Sequence, residues 1–191
     1  MKNDQIKSVL RLPKKHRGAA VKPDSALGGR LIGEQSLPHA VYAGLIIVIF
    51  FSGLWAMAST LVERIFPWMT LILGVLVGLA IRRAGKGLDW RFPVLAVIVT
   101  LVGALVSNIV LAAAFTANEL ETTTFNVLRA VTSMTWPVFF DEAMSSADAV
   151  YALFGAAIAA FYANRRLDRA EFHALRMWRQ GKSRSIMSDR H

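Results

Sequence analysis

Cysteine is absent from this chain. Disulfides, thiolate nucleophiles, thiolate-bound zinc, Cys-ligated iron–sulfur clusters and covalently attached c-type haem are therefore excluded, because each needs sulfur. Charge is also scarce: of 191 residues, 18% are Asp, Glu, Lys or Arg and 54% are hydrophobic. That balance is too apolar for an ordinary soluble domain of this length. Formal charge is missing altogether from residues 35–62, 65–81, 92–118 and 149–164. Such runs are solvated by lipid rather than water.

Crossing a hydrocarbon core takes about 20 helical residues, so length alone leaves the second and fourth runs ambiguous. The distribution of charge resolves them. Of 22 Lys and Arg, eight lie in residues 1–34, four in 82–91 and eight from Arg165 onward. The other two, Arg64 and Arg129, share their loops with Glu63, Glu119, Glu121, Asp141, Glu142 and Asp148. Four crossings put every basic cluster on one side, as the positive-inside bias requires, whereas two crossings invert it. The expectation is an all-α polytopic membrane protein, four transmembrane helices in one bundle, with both termini cytoplasmic. Spans fall at about 38–61, 65–83, 92–115 and 147–164, with an external loop at 116–146. Residues 1–34 form a basic arm, flexible or ordered by a partner, 35–164 the membrane domain, and 165–191 a basic helix and tail. The first apolar run is far longer than a signal-peptide core and is expected to remain as an anchor.

Local chemistry marks the boundaries. Ser36 is placed to cap the first span with Pro38 in its first turn, and Pro67 and Pro93 take the same role in the next two, where a missing N–H costs little. Trp55, Trp68 and Trp136 fall near the outer interface and Trp90 near the inner one. In the long loop, Val127, Leu128, Ala130, Val131 and Met134 line one side of a helix and Thr122–Thr124 offer caps, which predicts an interfacial helix. Trp136-Pro137-Val138-Phe139-Phe140 follows, too short to cross, and predicts a dipping turn. Trp136, Phe139 and Phe140 serve there either as a lid or as a partner-docking surface. From Arg165 the chain reads as a basic amphipathic helix running to Gly181, with Leu167, Ala170, Ala174, Leu175, Met177 and Trp178 on one face and Glu171 and Phe172 misplaced. Arg165, Arg169, Arg176 and Arg179 are placed to meet anionic headgroups, each contributing about 1 kcal/mol near the surface. The positive-inside bias already accounts for these cations, so no specific nucleic-acid partner is expected.

Within the spans, small residues carry the signal. Gly74 and Gly78 form a GxxxG pair, Gly103 and Ser107 a similar pair, and Gly155, Ala159 and Ala163 a ridge. Spacing by four lets helix backbones approach closely, inside the bundle first and between subunits second. Polar groups at membrane depth are Ser52, Thr70, Thr100, Ser107 and Asn108. Ion-coupled pumps place ionisable groups there, and none of these is a carboxylate, lysine or arginine. Asn108 is expected to make an interhelical hydrogen bond, with ligand contact as a lesser role. No catalytic or metal-binding residue is assigned, because His39 and the loop carboxylates are separated by a bilayer. No cofactor is expected; two-His haem ligation would need His16 or His173 folded back beside His39. Gly85-Lys86-Gly87 lacks the phosphate-loop spacing and reads as a tight hairpin.

Gly74-Val-Leu-Val-Gly78, Arg82-Arg83-Ala84-Gly85-Lys86-Gly87, Leu95-Ala96-Val97 and the last span from Ser146 to Arg166 together resemble a group of small uncharacterised bacterial four-helix inner-membrane proteins. That resemblance implies a bacterial inner membrane and brings no known activity or catalytic residue with it. The expected function is a non-catalytic accessory or assembly subunit of a larger membrane complex, its partners membrane lipids and other subunits or itself. A small homo-oligomeric channel or transporter lined by Thr100, Ser107 and Asn108 is the alternative, and a membrane-embedded enzyme relying on a cofactor or partner-supplied groups comes third.

Overall fold

A computed structural model describes residues 25–131, 135–165 and 167–188, and every regular element among them is helical. In order these are α1 (Ser25–Gly33), α2 (Leu37–Val62), α3 (Met69–Gly85), α4 (Arg91–Glu119), α5 (Thr124–Ala130), α6 (Trp136–Ala143), α7 (Ser146–Ala163) and α8 (Arg169–Ser188). Helices α2, α4 and α7 are long and apolar enough to cross a membrane. Helix α3 has 17 residues, with Arg82 and Arg83 in its last turn. The chain divides into two units, Ile32–Arg166 and the paired segments Met1–Leu31 and Leu167–His191.

In the larger unit, α2, α3, α4 and α7 form a diamond. Helices α3 and α4 touch each other and both outer helices, while α2 and α7 do not meet among the described residues. Gly44 faces Val99, Val48 faces Gly103 and Ser52 faces Ser107, advancing one turn at a time in both helices, so α2 and α4 run parallel. The same progression from Gly74–Gly155 to Gly78–Ala159 makes α3 and α7 parallel. The core between them is built from Trp55, Leu73, Val77, Ile81, Phe92, Ala96 and Ala159. Large apolar side chains also cover the outside: Ile46, Ile49 and Phe50 on α2, Ile98 on α4, and Leu153, Phe154 and Phe161 on α7 are exposed. Both faces of these helices are apolar, as in helices surrounded by lipid.

Proline placement refines the expected boundaries. Pro38 lies in the first turn of α2, and Pro93 is the third residue of α4, where its missing N–H is one the helix does not use. Helix α3 instead starts four residues later than expected. Pro67 disfavours helical geometry at Phe66, and two short turn bonds, Met69 N to Phe66 O and Thr70 N to Pro67 O, lead into the helix. Ser36 occupies the N-cap position of α2, yet its hydroxyl pairs with His39 Nδ1 at 2.5 Å rather than capping a backbone N–H.

Between α4 and α7, Thr123 caps α5 by accepting from Asn126 N. Val127 and Leu128 pack on Ala113 and Ala117 of α4. The helix is shorter than expected and stops at Ala130, since Val131 is extended; Thr132, Ser133 and Met134 lie outside the described residues. The dipping turn expected at Trp136–Phe140 is instead the helix α6, with Pro137 in its first turn and the Trp136 and Phe140 rings one turn apart in a tilted pair, centroids 6.1 Å. Proline at that position is preset for a helix, which the turn expectation overlooked.

In the smaller unit, the basic arm expected to end at residue 34 is helical over its last part, as α1; residues 1–24 lie outside the described residues. A Cβ on Gly28 would come within 2.7 Å of the Ala174 carbonyl oxygen, so glycine there brings the α1 backbone against α8. Leu31, Ala174 and Leu175 are buried. The basic helix is not continuous with the last span: Asn164 is extended, and α8 begins afresh at Arg169. Glu171 explains the break, because its carboxylate accepts from Asp168 N at 3.1 Å, while Asp168 Oδ1 accepts from Arg169 N at 2.8 Å. The residue that spoiled the amphipathic pattern is a helix-start residue. Helix α8 also continues through Gly181, where an added side chain would meet nothing within 4 Å. A mid-helix glycine costs about 1 kcal/mol and does not by itself end a helix.

Candidate functional sites in the four-helix unit

The small residues singled out in the spans meet one another within this chain. A Cβ on Gly74 would lie 2.2 Å from Gly155 O, one on Gly78 would lie 2.7 Å from Ala159 O, and one on Gly155 would lie 2.7 Å from Thr70 O. Backbone meets backbone along the α3–α7 contact, a close approach that glycine permits at positions 74, 78 and 155. Gly103 instead leaves room for a side chain, since a Cβ there would lie 2.7 Å from Val48 Cγ2. Ser107, one turn on, is buried and hydrogen-bonded to Ser52 Oγ at 2.7 Å. Ser52 Oγ donates to Val48 O, also at 2.7 Å, so its single proton is committed and Ser107 is the donor between the helices. This bond between α2 and α4 belongs to Ser107, and Asn108 is buried beside it.

Several interior polar atoms lack partners. Trp55 Nε1, Ser59 Oγ, Thr70 Oγ1, Thr100 Oγ1 and Asp148 Oδ1 are all buried without a hydrogen bond. Asp148 sits at the start of α7 in a reciprocal cap: its backbone N–H donates to Ser145 Oγ at 3.2 Å, and its Oδ2 accepts from Ser145 N at 3.0 Å and Ser145 Oγ at 2.5 Å. The Ser-x-x-Asp spacing is the sequence signal for this cap, which the reading of the loop did not use.

At the opposite end, the α3–α4 turn is built around Phe92. Lys86 closes α3 in the left-handed conformation, φ 47°, donating its N–H to Arg82 O. Neither neighbouring glycine has positive φ. Their role is steric: a Cβ on Gly85 would lie 2.6 Å from the buried Phe92 ring and one on Gly87 2.0 Å. Segments far apart in the chain are tied to this turn. Ser36 N donates to Gly85 O, Arg165 N donates to Gly87 O, and Glu34 pairs with Lys86 at 3.3 Å and Arg165 at 3.9 Å. Arg165, expected at lipid headgroups, is engaged here by both backbone and side chain.

Arg169, Arg176 and Arg179 are exposed on α8. Trp136 is exposed and Phe140 half-buried on α6, whereas the Phe139 side chain lies outside the described residues. Among the described residues no three metal-ligating side chains form a group. The arrangement provides close helix contacts, one buried serine pair and a braced polar turn. No protein-family model, curated protein or solved structure matches this chain.

Proposed function

We propose that this chain is a four-span protein of a bacterial inner membrane that acts as a non-catalytic accessory or assembly subunit of a larger membrane complex. In this reading α3 crosses as the fourth span, its length made up by Arg82 and Arg83 reaching toward the interface. Helix α5 lies along the outer leaflet, both termini are cytoplasmic, and the exposed arginines of α8 meet anionic headgroups. The observation that carries the reading is the contrast between a filled interior and an apolar exterior. Small residues close the α3–α7 contact, ionisable side chains sit at the helix ends, and large apolar side chains on α2, α4 and α7 face outward. Such a bundle offers helix surfaces to lipid and to neighbouring subunits, with Trp136 and Phe140 of α6 as an external contact.

Affinity purification in mild detergent tests the proposal. A stoichiometric membrane partner is expected, and a chain that elutes alone as a single bundle refutes it. A second reading, a small homo-oligomeric channel or transporter lined by Thr100, Ser107 and Asn108, draws on the partnerless buried hydroxyl of Thr100. It requires the helices to part at Ser52–Ser107, and liposome flux lost in Asn108→Leu is its test.

A further inference from the structure

A groove of about 460 Å³ runs along the α2–α4 contact and ends at the α4–α5 connection. Its volume lies in the range of small-ligand sites. Polarity changes along its length. Gly53, Ala56, Ala114 and Ala117 leave room in the groove because they are small, with Met57 and Val110 alongside. Thr60, about two helical turns or roughly 10 Å beyond Gly53, and Asn118, next to Ala117, begin a polar end completed by Thr122 and Thr124. An apolar trough opening into a cluster of neutral hydrogen-bonding groups matches an amphiphile lying parallel to the helices, tail in the trough and headgroup at the helix ends.

The surrounding charge narrows the ligand. No charged side chain lines the groove. In the chain segments that adjoin its polar end, residues 61–64 and 119–129, Glu63, Glu119 and Glu121 outnumber Arg64 and Arg129. Carboxylates attract an ammonium group and repel a net-anionic headgroup. Thr122 accepts from Asn126 Nδ2, which leaves its own O–H to donate, and the Asn118 carboxamide supplies N–H donors of the kind that phosphate oxygens accept. We infer that the groove is a binding site for a phospholipid with a zwitterionic, ammonium-bearing headgroup, acyl chain along Gly53–Ala114 and phosphate at Asn118–Thr122.

The inference rests on the membrane-spanning reading, and its test separates the two. The full-length protein is placed in nanodiscs containing a photoactivatable phosphatidylethanolamine or phosphatidylglycerol, and labelled peptides are mapped. Gly53→Leu fills the trough while leaving the bundle intact, because a Cβ at Gly53 meets nothing within 4 Å. Ala58→Leu, exposed on the same helix and outside the groove, is the control. Labelling of the 53–60 and 110–118 segments by phosphatidylethanolamine is expected, reduced about tenfold in Gly53→Leu and unchanged in Ala58→Leu. Equal labelling in the two variants, or stronger labelling by phosphatidylglycerol, overturns the lipid site. A chain that alkaline carbonate strips from membranes overturns the spanning reading instead.

Discussion

Gly74 and Gly155 meet across the α3–α7 contact so closely that a methyl group on the first would stand 2.2 Å from the carbonyl oxygen of the second. The obstacle is backbone, which no rotamer change can move aside. Gly74→Ala therefore has to push α3 away from α7, and overpacking of this kind costs about 1–3 kcal/mol. Gly53→Ala, with open space around it, gains up to about 1 kcal/mol of helix propensity. Thermal melting in detergent should show the two variants moving in opposite directions; a common direction would contradict the assigned contact.

Phe92 offers a contrasting case, because the atoms crowding Gly87 belong to a side chain. Gly87→Ala should destabilise the protein, and Phe92→Leu should restore much of that loss by vacating the ring's place. No equivalent rescue exists for Gly74→Ala. A melting series on the two singles and the double decides this, and a double variant weaker than either single would remove the steric account of the turn.

The Ser52–Ser107 bond is open to a double-mutant cycle with alanine. Interhelical hydrogen bonds in membrane bundles average about 0.6 kcal/mol of coupling. Ser52→Ala also removes the bond to Val48 O in its own helix, so its loss contains a contribution outside the coupling, whereas Ser107→Ala removes the interhelical bond and leaves that one in place. Zero coupling would show that the pair contributes packing alone.

Ser145→Ala removes the hydroxyl that both accepts from Asp148 N and donates to Asp148 Oδ2. The expected loss is about 1 kcal/mol, the usual value for an N-cap. Asp148→Ala should cost a similar amount and the double variant scarcely more, since both singles dismantle one reciprocal cap. Fully additive losses, measured by chemical denaturation, would argue that the two groups act separately.

A chain without cysteine is convenient for mapping sidedness, since each introduced thiol is the only one present. Under the proposed topology, Thr122→Cys reacts with a membrane-impermeant maleimide in intact cells. Lys86→Cys and Gly181→Cys react only after permeabilisation. Labelling of Thr122→Cys and Gly181→Cys in the same compartment would dismantle the even-crossing arrangement.

What the sequence determined by itself is the set of helices and the solvent they suit. Charge-free runs locate α2, α4 and α7 within a few residues, and prolines and Ser-x-x-Asp spacings mark where helices begin, because these signals depend on neighbours within a turn of the same chain. Residues near Trp136 and 25–33 were harder to read, being short and lacking a long period. Which faces meet was not legible at all. In a helix that is apolar all round, hydrophobic periodicity cannot distinguish the side facing lipid from the side facing protein. Small-residue ridges indicate that some close contact exists without naming the partner, so only the tertiary structure pairs Gly74 with Gly155, Ser107 with Ser52 and Phe92 with two glycines of the preceding turn. Those pairings are decided by fit between distant segments, where a few tenths of an ångström separate contact from collision.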